Sequence, residues 1–314
     1  MLRSAILTFT LLSLAGCATT GTTMIEPKDK VAVIAHRGAS AYAPENTLAA
    51  FERAVELDAD WYELDCLLTK DEVVIVSHDG TLDRCTNATG PVADKTLAEL
   101  KALDAGSWYD AKFTGETLPT LEESLSMAKD RIGVYVEIKS IANDGELMVQ
   151  LWAATERLNG KNMLDQEAKD EMLRLADASG NRNVLLARKS IADIRATGMT
   201  KQAVIQSFSP VICLIALLEA PEIRTEYLGG YNEEKPEQWD AFVKWGMLID
   251  VDGFNVSHPS INPERLALFH DARKTVAVWT VDGKEDMTRY IDMGVDAIIT
   301  NRPDDLRAVL AEMR

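Results

Sequence analysis

Three carboxylates and two histidines stand in this chain at spacings suited to phosphoryl chemistry. Glu63 and Asp65 lie two apart in an apolar stretch, as do Glu137 and Lys139. Side chains two apart on a strand share a face. Glu63 therefore points with Asp65, and Glu137 with Lys139, while Leu64, Cys66, Val136 and Ile138 face the other way. Three carboxylates meeting at one place repel unless a cation lies between them. An all-oxygen donor set suits one divalent cation, Ca²⁺ or Mg²⁺, with water completing the shell. The competing reading pairs these acids with Lys or Arg, although residues 61–65 contain neither. His36 and His78, two of only 4 histidines, each end a short apolar run. Such a pair can act as general base and general acid near neutral pH. Arg37 and Lys139 can hold a phosphate, Arg with a planar fork and Lys as a point charge. These residues point to metal-assisted hydrolysis of a phosphate ester. His270 falls in a helical pattern and His258 precedes Pro259; neither has an acidic partner at a useful spacing.

The elements that must position these groups alternate. Strands are predicted at Val31–Ala35, Trp61–Leu67, Val73–Ser77, Ile132–Ile138, Ala203–Ser207, Arg224–Leu228, Val251–Val256, Thr275–Thr280 and Ala297–Thr300. After the first strand, Asn46 and Thr47 can cap a helix carrying Leu48, Phe51 and Val55. Further helical patterns fall at 120–129, 145–177, 210–219, 235–247, 263–273, 284–293 and 303–313. About eight strand–helix units predict a closed (β/α)₈ TIM barrel. The doubly wound sheet is the alternative, but no Gly-rich dinucleotide loop follows the first strand. Residues 80–118 break the rhythm after the second strand pair and read as an insertion over one face. Residues 140–185 are longer and more polar than a crossover needs, which predicts an extended helical segment. In a barrel of this kind the site lies at the C-terminal strand ends, where His36, His78, Lys139 and Trp279 fall.

A length of 314 residues accommodates one large domain or two small ones. A composition of 46% apolar and 26% charged residues excludes a disordered or fibrous chain. The formal charge of −17 disfavours nucleic acid as a partner. It leaves room for a small phosphorylated substrate, because a local cation can override the global field.

Residues 1–16 read as a secretory signal: Arg3 is the sole charge, and Ala5–Leu14 is too short to span a bilayer. The run ends Leu14-Ala15-Gly16-Cys17, which resembles a bacterial lipobox and implies a lipid on Cys17. That lipid replaces a transmembrane helix as the membrane anchor. Residues 17–30 are polar and read as a flexible tether to a domain spanning 31–314. The expectation is an exported envelope lipoprotein on the periplasm-facing side of the outer membrane, since Ala18 replaces the Asp of inner-membrane retention. Cys66, Cys85 and Cys213 are an odd set, read as free thiols, with a Cys66–Cys85 bridge as the alternative.

Several ordered motifs carry a family resemblance. Ala35-His36-Arg37-Gly38 and Pro44-Glu45-Asn46-Thr47 come first. Glu63-Leu64-Asp65, Ser77-His78-Asp79, Leu82-Asp83-Arg84, Thr86-Asn87 and Gly90 follow. Then come Asp104-Ala105-Gly106-Ser107-Trp108, Leu118-Pro119-Thr120-Leu121-Glu122-Glu123 and Val136-Glu137-Ile138-Lys139. Gln206-Ser207-Phe208 and Val278-Trp279-Thr280-Val281 complete the series. Together they resemble the glycerophosphodiester phosphodiesterase family from about residue 33 to the C-terminus, with the middle third weakest.

The resemblance implies a (β/α)₈ barrel with a small inserted subdomain at 80–118 and a bound Ca²⁺ or Mg²⁺. By position it implies Glu63, Asp65 and Glu137 as metal ligands and His36 and His78 as the acid–base pair. Arg37 and Lys139 would contact phosphate. Glu45 would lie beside the metal ligands or against Arg37, and Trp279 would form an aromatic wall. The implied reaction is hydrolysis of a glycerophosphodiester to sn-glycerol 3-phosphate and an alcohol. The attacker is the neighbouring glycerol hydroxyl, giving a cyclic phosphate, or water. The alternatives are a lysophospholipase D-like enzyme acting on longer lipids and a non-enzymatic diester-binding lipoprotein. Cys85, Ala88, Asp282 and Asn301 depart from the pattern, which more often has Thr, Gly, Asn and Asp there. These departures are expected to bear on alcohol preference.

Overall fold

The computed structural model describes residues 27–157 and 165–314. Its strands are β1 (Ala32–Ala35), β2 (Trp61–Leu68), β3 (Val74–Val76), β4 (Gly133–Ile138), β5 (Ala203–Ser207), β6 (Arg224–Gly229), β7 (Gly253–Ser257), β8 (Thr275–Trp279) and β9 (Ala297–Thr300). All but β3 are parallel and follow one another round a ring that closes through the β1–β9 and β1–β2 pairings. The fold is a (β/α)₈ TIM barrel. β3 stands outside the ring, antiparallel to the far end of β2, with Cys66 opposite Val76.

The alternation along each strand explains the two cores. Val33, Ala35, Tyr62, Leu64, Cys66, Val134 and Val136 face outward into the main core beneath the helices. Ala32, Ile34, Trp61, Tyr135, Val204, Ala277, Ala297 and Ile299 fill the barrel floor. Gly133 is required there: a Cβ would lie 2.1 Å from the Trp61 ring. Above the floor the inward side chains become polar, and that layer holds the site.

Capping chemistry starts the helices that follow the strands. Thr47 caps Leu48–Glu56, and Thr120 and Glu123 form a capping box for Leu121–Ala128. Ser209 and Asn262 cap Pro210–Glu219 and Pro263–Asp271, each with proline in the first turn.

The predicted segment 145–177 is not one helix. It divides into Gly145–Arg157 and Gln166–Ser179, the second opened by the Asp165 cap. A further helix, Arg182–Thr197, escapes the sequence reading. Gly180, in a left-handed conformation, ends one helix, and the Asn181 side chain starts the next. The sixth barrel strand, β7, begins at Gly253 rather than Val251, because Asp250 closes the preceding helix with a φ of 63° and Asp252 turns to cap the Thr225 amide. Within 80–118, Leu82, Val92, Leu100, Ala105 and Leu118 form a small core with Leu67 and Ile75 of β2 and β3. Residues 1–26, which hold the predicted signal, Cys17 and most of the tether, lie outside the described residues.

Candidate active site

The carboxylate cluster follows from strand register. Asp65 of β2 stands opposite Glu137 of β4, and Glu63 lies one pleat below on the same inward face. One oxygen from each of Glu63, Asp65 and Glu137 lies within 4.8 Å of the others. All three are buried, at 1%, 1% and 8% exposure, so their charges need partners inside the protein.

Arg37 and Lys139 supply part of that charge. Lys139 Nζ lies 3.0 Å from Asp65 Oδ1 and 2.6 Å from Glu137 Oε1. Arg37 Nε lies 3.5 Å from Asp65 Oδ2. Asn46 Nδ2 donates to Asp65 Oδ2 at 2.8 Å. Burial alone would raise Asp65, but Lys139 and Arg37 outweigh it and hold the carboxyl down at about 2. Glu63 accepts only the Arg37 backbone N–H, at 2.9 Å, among the hydrogen bonds of the described residues. Burial and the Asp65 and Glu137 charges push Glu63 well above the usual carboxylate range. Burial, with Asp65 next, pushes Glu137 up to about 7. Ion pairing is thus present but incomplete. A buried all-oxygen set in which burial and neighbouring like charge still raise two of three carboxyls fits a hard divalent cation.

A strained turn brings Arg37 to the cluster. Arg37 has a φ of 54° and Gly38 of 78°. The left-handed turn aims the Arg37 amide at Glu63 and the Gly38 amide at the Glu63 carbonyl, 3.1 Å away. A side chain at Gly38 would strike Ala50 at 2.6 Å. Only glycine fits, which gives the His-Arg-Gly motif a steric basis.

His36, His78, Glu63, Glu137, Arg37 and Lys139 line one cavity of about 170 Å³ at the C-terminal strand ends. Trp279 lines it too, edge-on to Phe208 with ring centres 5.6 Å apart, and its Nε1 donates to Asn255 O at 3.2 Å. Gln206 and Phe208 join the wall from the end of β5.

The two histidines have different partners. His36 Nδ1 lies 2.7 Å from Asn301 Oδ1, an amide. His78 Nδ1 lies 2.7 Å from Asp79 Oδ1, a carboxylate. Burial, then Arg37, pushes His36 down to about 4. Behind Asp79 runs an ionic chain. Arg84 Nε donates to Asp79 Oδ2 at 2.7 Å, and its Nη1 and Nη2 clasp Glu45, each at 2.7 Å. Arg37 Nη1 donates to the same Glu45 at 2.9 Å. The Arg84 hydrogen bond holds Asp79 at about 2, a carboxylate at neutral pH. Glu45 therefore joins Arg37 to the His78 support and takes no place in the carboxylate trio.

Several expectations change. Of the two candidate caps of the first helix, Thr47 is the cap, while the Asn46 φ of 59° turns its side chain to Asp65. His270 does have an acidic partner, Asp296 at 2.9 Å, brought near only by the fold and at the surface. His258 contacts the Tyr290 hydroxyl and is absent from the cavity lining. Cys66, Cys85 and Cys213 are free thiols. Asp282 and Asn301 were expected to shape the alcohol side. They are hydrogen-bonded to each other behind His36, outside the cavity lining. The supporting roles of Asp79, Arg84 and Asn301 escape sequence reasoning; the one signal was their place in or near the quoted motifs.

The glycerophosphoryl diester phosphodiesterase family model matches residues 36–155 and 149–305. A glycerophosphodiester phosphodiesterase of Caldanaerobacter subterraneus is 35% identical over 88% of this chain and 96% of its own length. Among solved structures, a glycerophosphodiester phosphodiesterase of Agrobacterium tumefaciens is 27% identical with a TM-score of 0.63, covering 88% of this chain and 99% of that one. An Oleispira antarctica phosphodiesterase solved with the product sn-glycerol 3-phosphate shares the fold at a TM-score of 0.71 and 23% identity, covering 89% and 96%.

Proposed function

The chain belongs to the glycerophosphoryl diester phosphodiesterase family, and from that premise we propose that it hydrolyses glycerophosphodiesters to sn-glycerol 3-phosphate and an alcohol. The observation that carries this reading is the meeting of His36, His78 and the carboxylate cluster around one cavity. Glu63, Asp65 and Glu137 would hold a divalent cation, Ca²⁺ or Mg²⁺. When bound, it neutralises charge that grows on the phosphate in the transition state.

The chain's own residues divide the remaining work. Arg37 and Lys139 line the cavity and orient the phosphate oxygens. Lys139 gives two hydrogens to Asp65 and Glu137 and keeps a third for substrate. His36, held neutral by burial, accepts the proton of the attacking hydroxyl. As that oxygen bonds to phosphorus, the bond to the leaving oxygen breaks and His78 protonates it. Where the attacker is the neighbouring glycerol hydroxyl, water then opens the cyclic phosphate by the same exchange of protons; where it is water, glycerol 3-phosphate forms directly. Asp79 supplies the countercharge for an imidazolium at His78. Trp279 and Phe208 wall the alcohol side.

Water-soluble diesters suit this site better than long lipids. No residue of 80–118 lines this cavity among the described residues. Pro27 lines the opposite end of the barrel with Ala32 and Ala297, and Lys28 pairs there with Asp58. A lipid on Cys17 would tether the protein by that end. Replacing Cys17 with Ser should release the protein from the membrane fraction; retention there would end the anchor reading.

The decisive assay supplies glycerophosphocholine to the protein, first chelated and then given Ca²⁺ or Mg²⁺, and measures glycerol 3-phosphate. Product only with metal is expected. No product from folded protein under either metal would overturn the proposed reaction.

A further inference from the structure

The hydrogen bonds behind His36 allow one arrangement of protons. Asp282 follows β8, and Asn301 follows β9. Asp282 Oδ2 lies 2.6 Å from Asn301 Nδ2. Its Oδ1 accepts from the Asn301 backbone N–H at 2.8 Å and the Thr300 hydroxyl at 3.0 Å. A carboxylate only accepts, so the amide atom facing it is the NH₂ group. The Asn301 oxygen is thereby turned away, toward Ser40 and His36. The Ser40 hydroxyl donates to it at 2.7 Å, and His36 Nδ1 lies 2.7 Å from it. An amide oxygen cannot donate, so His36 Nδ1 carries the hydrogen. In the neutral ring Nε2 is then a bare acceptor, on a side chain that lines the cavity.

We propose that Asn301, oriented by Asp282, is a positioning residue that fixes His36 in its Nδ1–H form and presents Nε2 to the substrate as the proton acceptor. The inference rests on the phosphodiesterase reading for its role in the reaction, but the tautomer itself does not. It also breaks the symmetry of the pair. His36 leans on a neutral amide held by the Asp282 carboxylate, and His78 leans directly on the Asp79 carboxylate. The proton enters at the first ring and leaves from the second. Ser40 completes the grip by filling the second acceptor position of the Asn301 oxygen.

Two measurements test this. The first labels histidine with ¹⁵N in the Ca²⁺- or Mg²⁺-loaded protein and reads the tautomer of each ring by long-range ¹H–¹⁵N correlation. The His36 signal is identified by its loss in His36→Gln. A protonated Nδ1 with bare Nε2 at neutral pH is expected; a protonated Nε2 in the neutral ring overturns the proposal whatever the activity. The second compares Asn301→Leu, Asn301→Asp and the exchange Asp282→Asn with Asn301→Asp. Loss of the oriented amide should lower kcat by about 10-fold or more, with KM within about 2-fold. Asn301→Asp alone sets two carboxylates against each other, and the exchange restores a donor–acceptor pair. The exchange should therefore recover most of the kcat that Asn301→Asp loses. An undiminished kcat in Asn301→Leu, or an exchange no better than Asn301→Asp, would sink the positioning role. Should wild-type protein hydrolyse no diester, the reaction falls, while the ¹⁵N reading still decides the proton arrangement.

Discussion

Asp65 and Glu137 are direct neighbours across the β2–β4 ladder, both turned into the barrel, with Lys139 bridging their oxygens. The parallel register forces the contact: neither side chain can leave it without a shift that would flip every inward residue of the strand. The fold thus holds like charges together, and an added cation should bind the folded state selectively. Ca²⁺ or Mg²⁺ at one hundred times its Kd should stabilise the protein by about 2.7 kcal/mol, read as a rise in thermal midpoint over the chelated sample. Glu137→Gln should remove that rise together with the metal-dependent activity. An equal rise in the variant would place the cation elsewhere.

Arg84 ties the two sides of the site together, with one edge on Asp79 and a two-pronged grip on Glu45. Its side chain is 44% exposed, so its ion pairs contribute little to stability. Its removal frees Asp79 to turn away from His78. Arg84→Ala should lower kcat by roughly 10-fold while the thermal midpoint stays within a few degrees. Arg84→Lys should not rescue it, because an ammonium cannot reproduce three fixed hydrogen bonds. Full activity in Arg84→Lys would show that charge alone suffices.

The parts of the site that sequence reveals are those set by local period. Glu63, Asp65, Glu137 and Lys139 become visible once their stretches are read as strands, since alternation decides their faces. The supports are invisible for a different reason. His36 and Asn301 are separated by 265 positions and meet only because β9 closes against β1. Asn46 misleads because capping preference is a local rule, and a left-handed backbone overrides it to reach Asp65. The helix Arg182–Thr197 is hidden by the Gly180-Asn181 junction, where one helix stops and the next starts without a loop between them.

Gly38 provides a steric test of the Arg37 turn. Alanine there meets Ala50 at 2.6 Å and must also hold a φ of 78°. Gly90 has a comparable φ of 93°, with nothing within 4 Å of a Cβ. Gly90→Ala should therefore cost about 1 kcal/mol from backbone strain alone. Gly38→Ala should cost on the order of 2–4 kcal/mol, because helix Leu48–Glu56 must also move. Denaturant midpoints of the two variants give the comparison, and equal losses would mean that the Ala50 contact carries no weight.

The pH dependence of His36 follows from its surroundings. Burial comes first and Arg37 second among the causes that hold it at about 4; the Asn301 hydrogen bond, Asp65 and Glu45 pull the other way without prevailing. A ring with that value stays neutral through pH 5. As the proton acceptor it should set the acid limb of kcat/KM between about 4 and 5, below the 6.5 of an ordinary histidine. Stability carries the same signature. The folded pKa lies below the unfolded one, so as pH falls from 6.5 toward 4 the unfolded chain gains a proton that the folded one refuses. Wild type should lose roughly 2–3 kcal/mol across that window relative to His36→Gln, which has no proton to take. Unfolding both proteins by denaturant at pH 7 and pH 4.5 measures the difference. Parallel losses in the two would mean that His36 titrates alike in folded and unfolded protein, and the neutral proton acceptor would go with it.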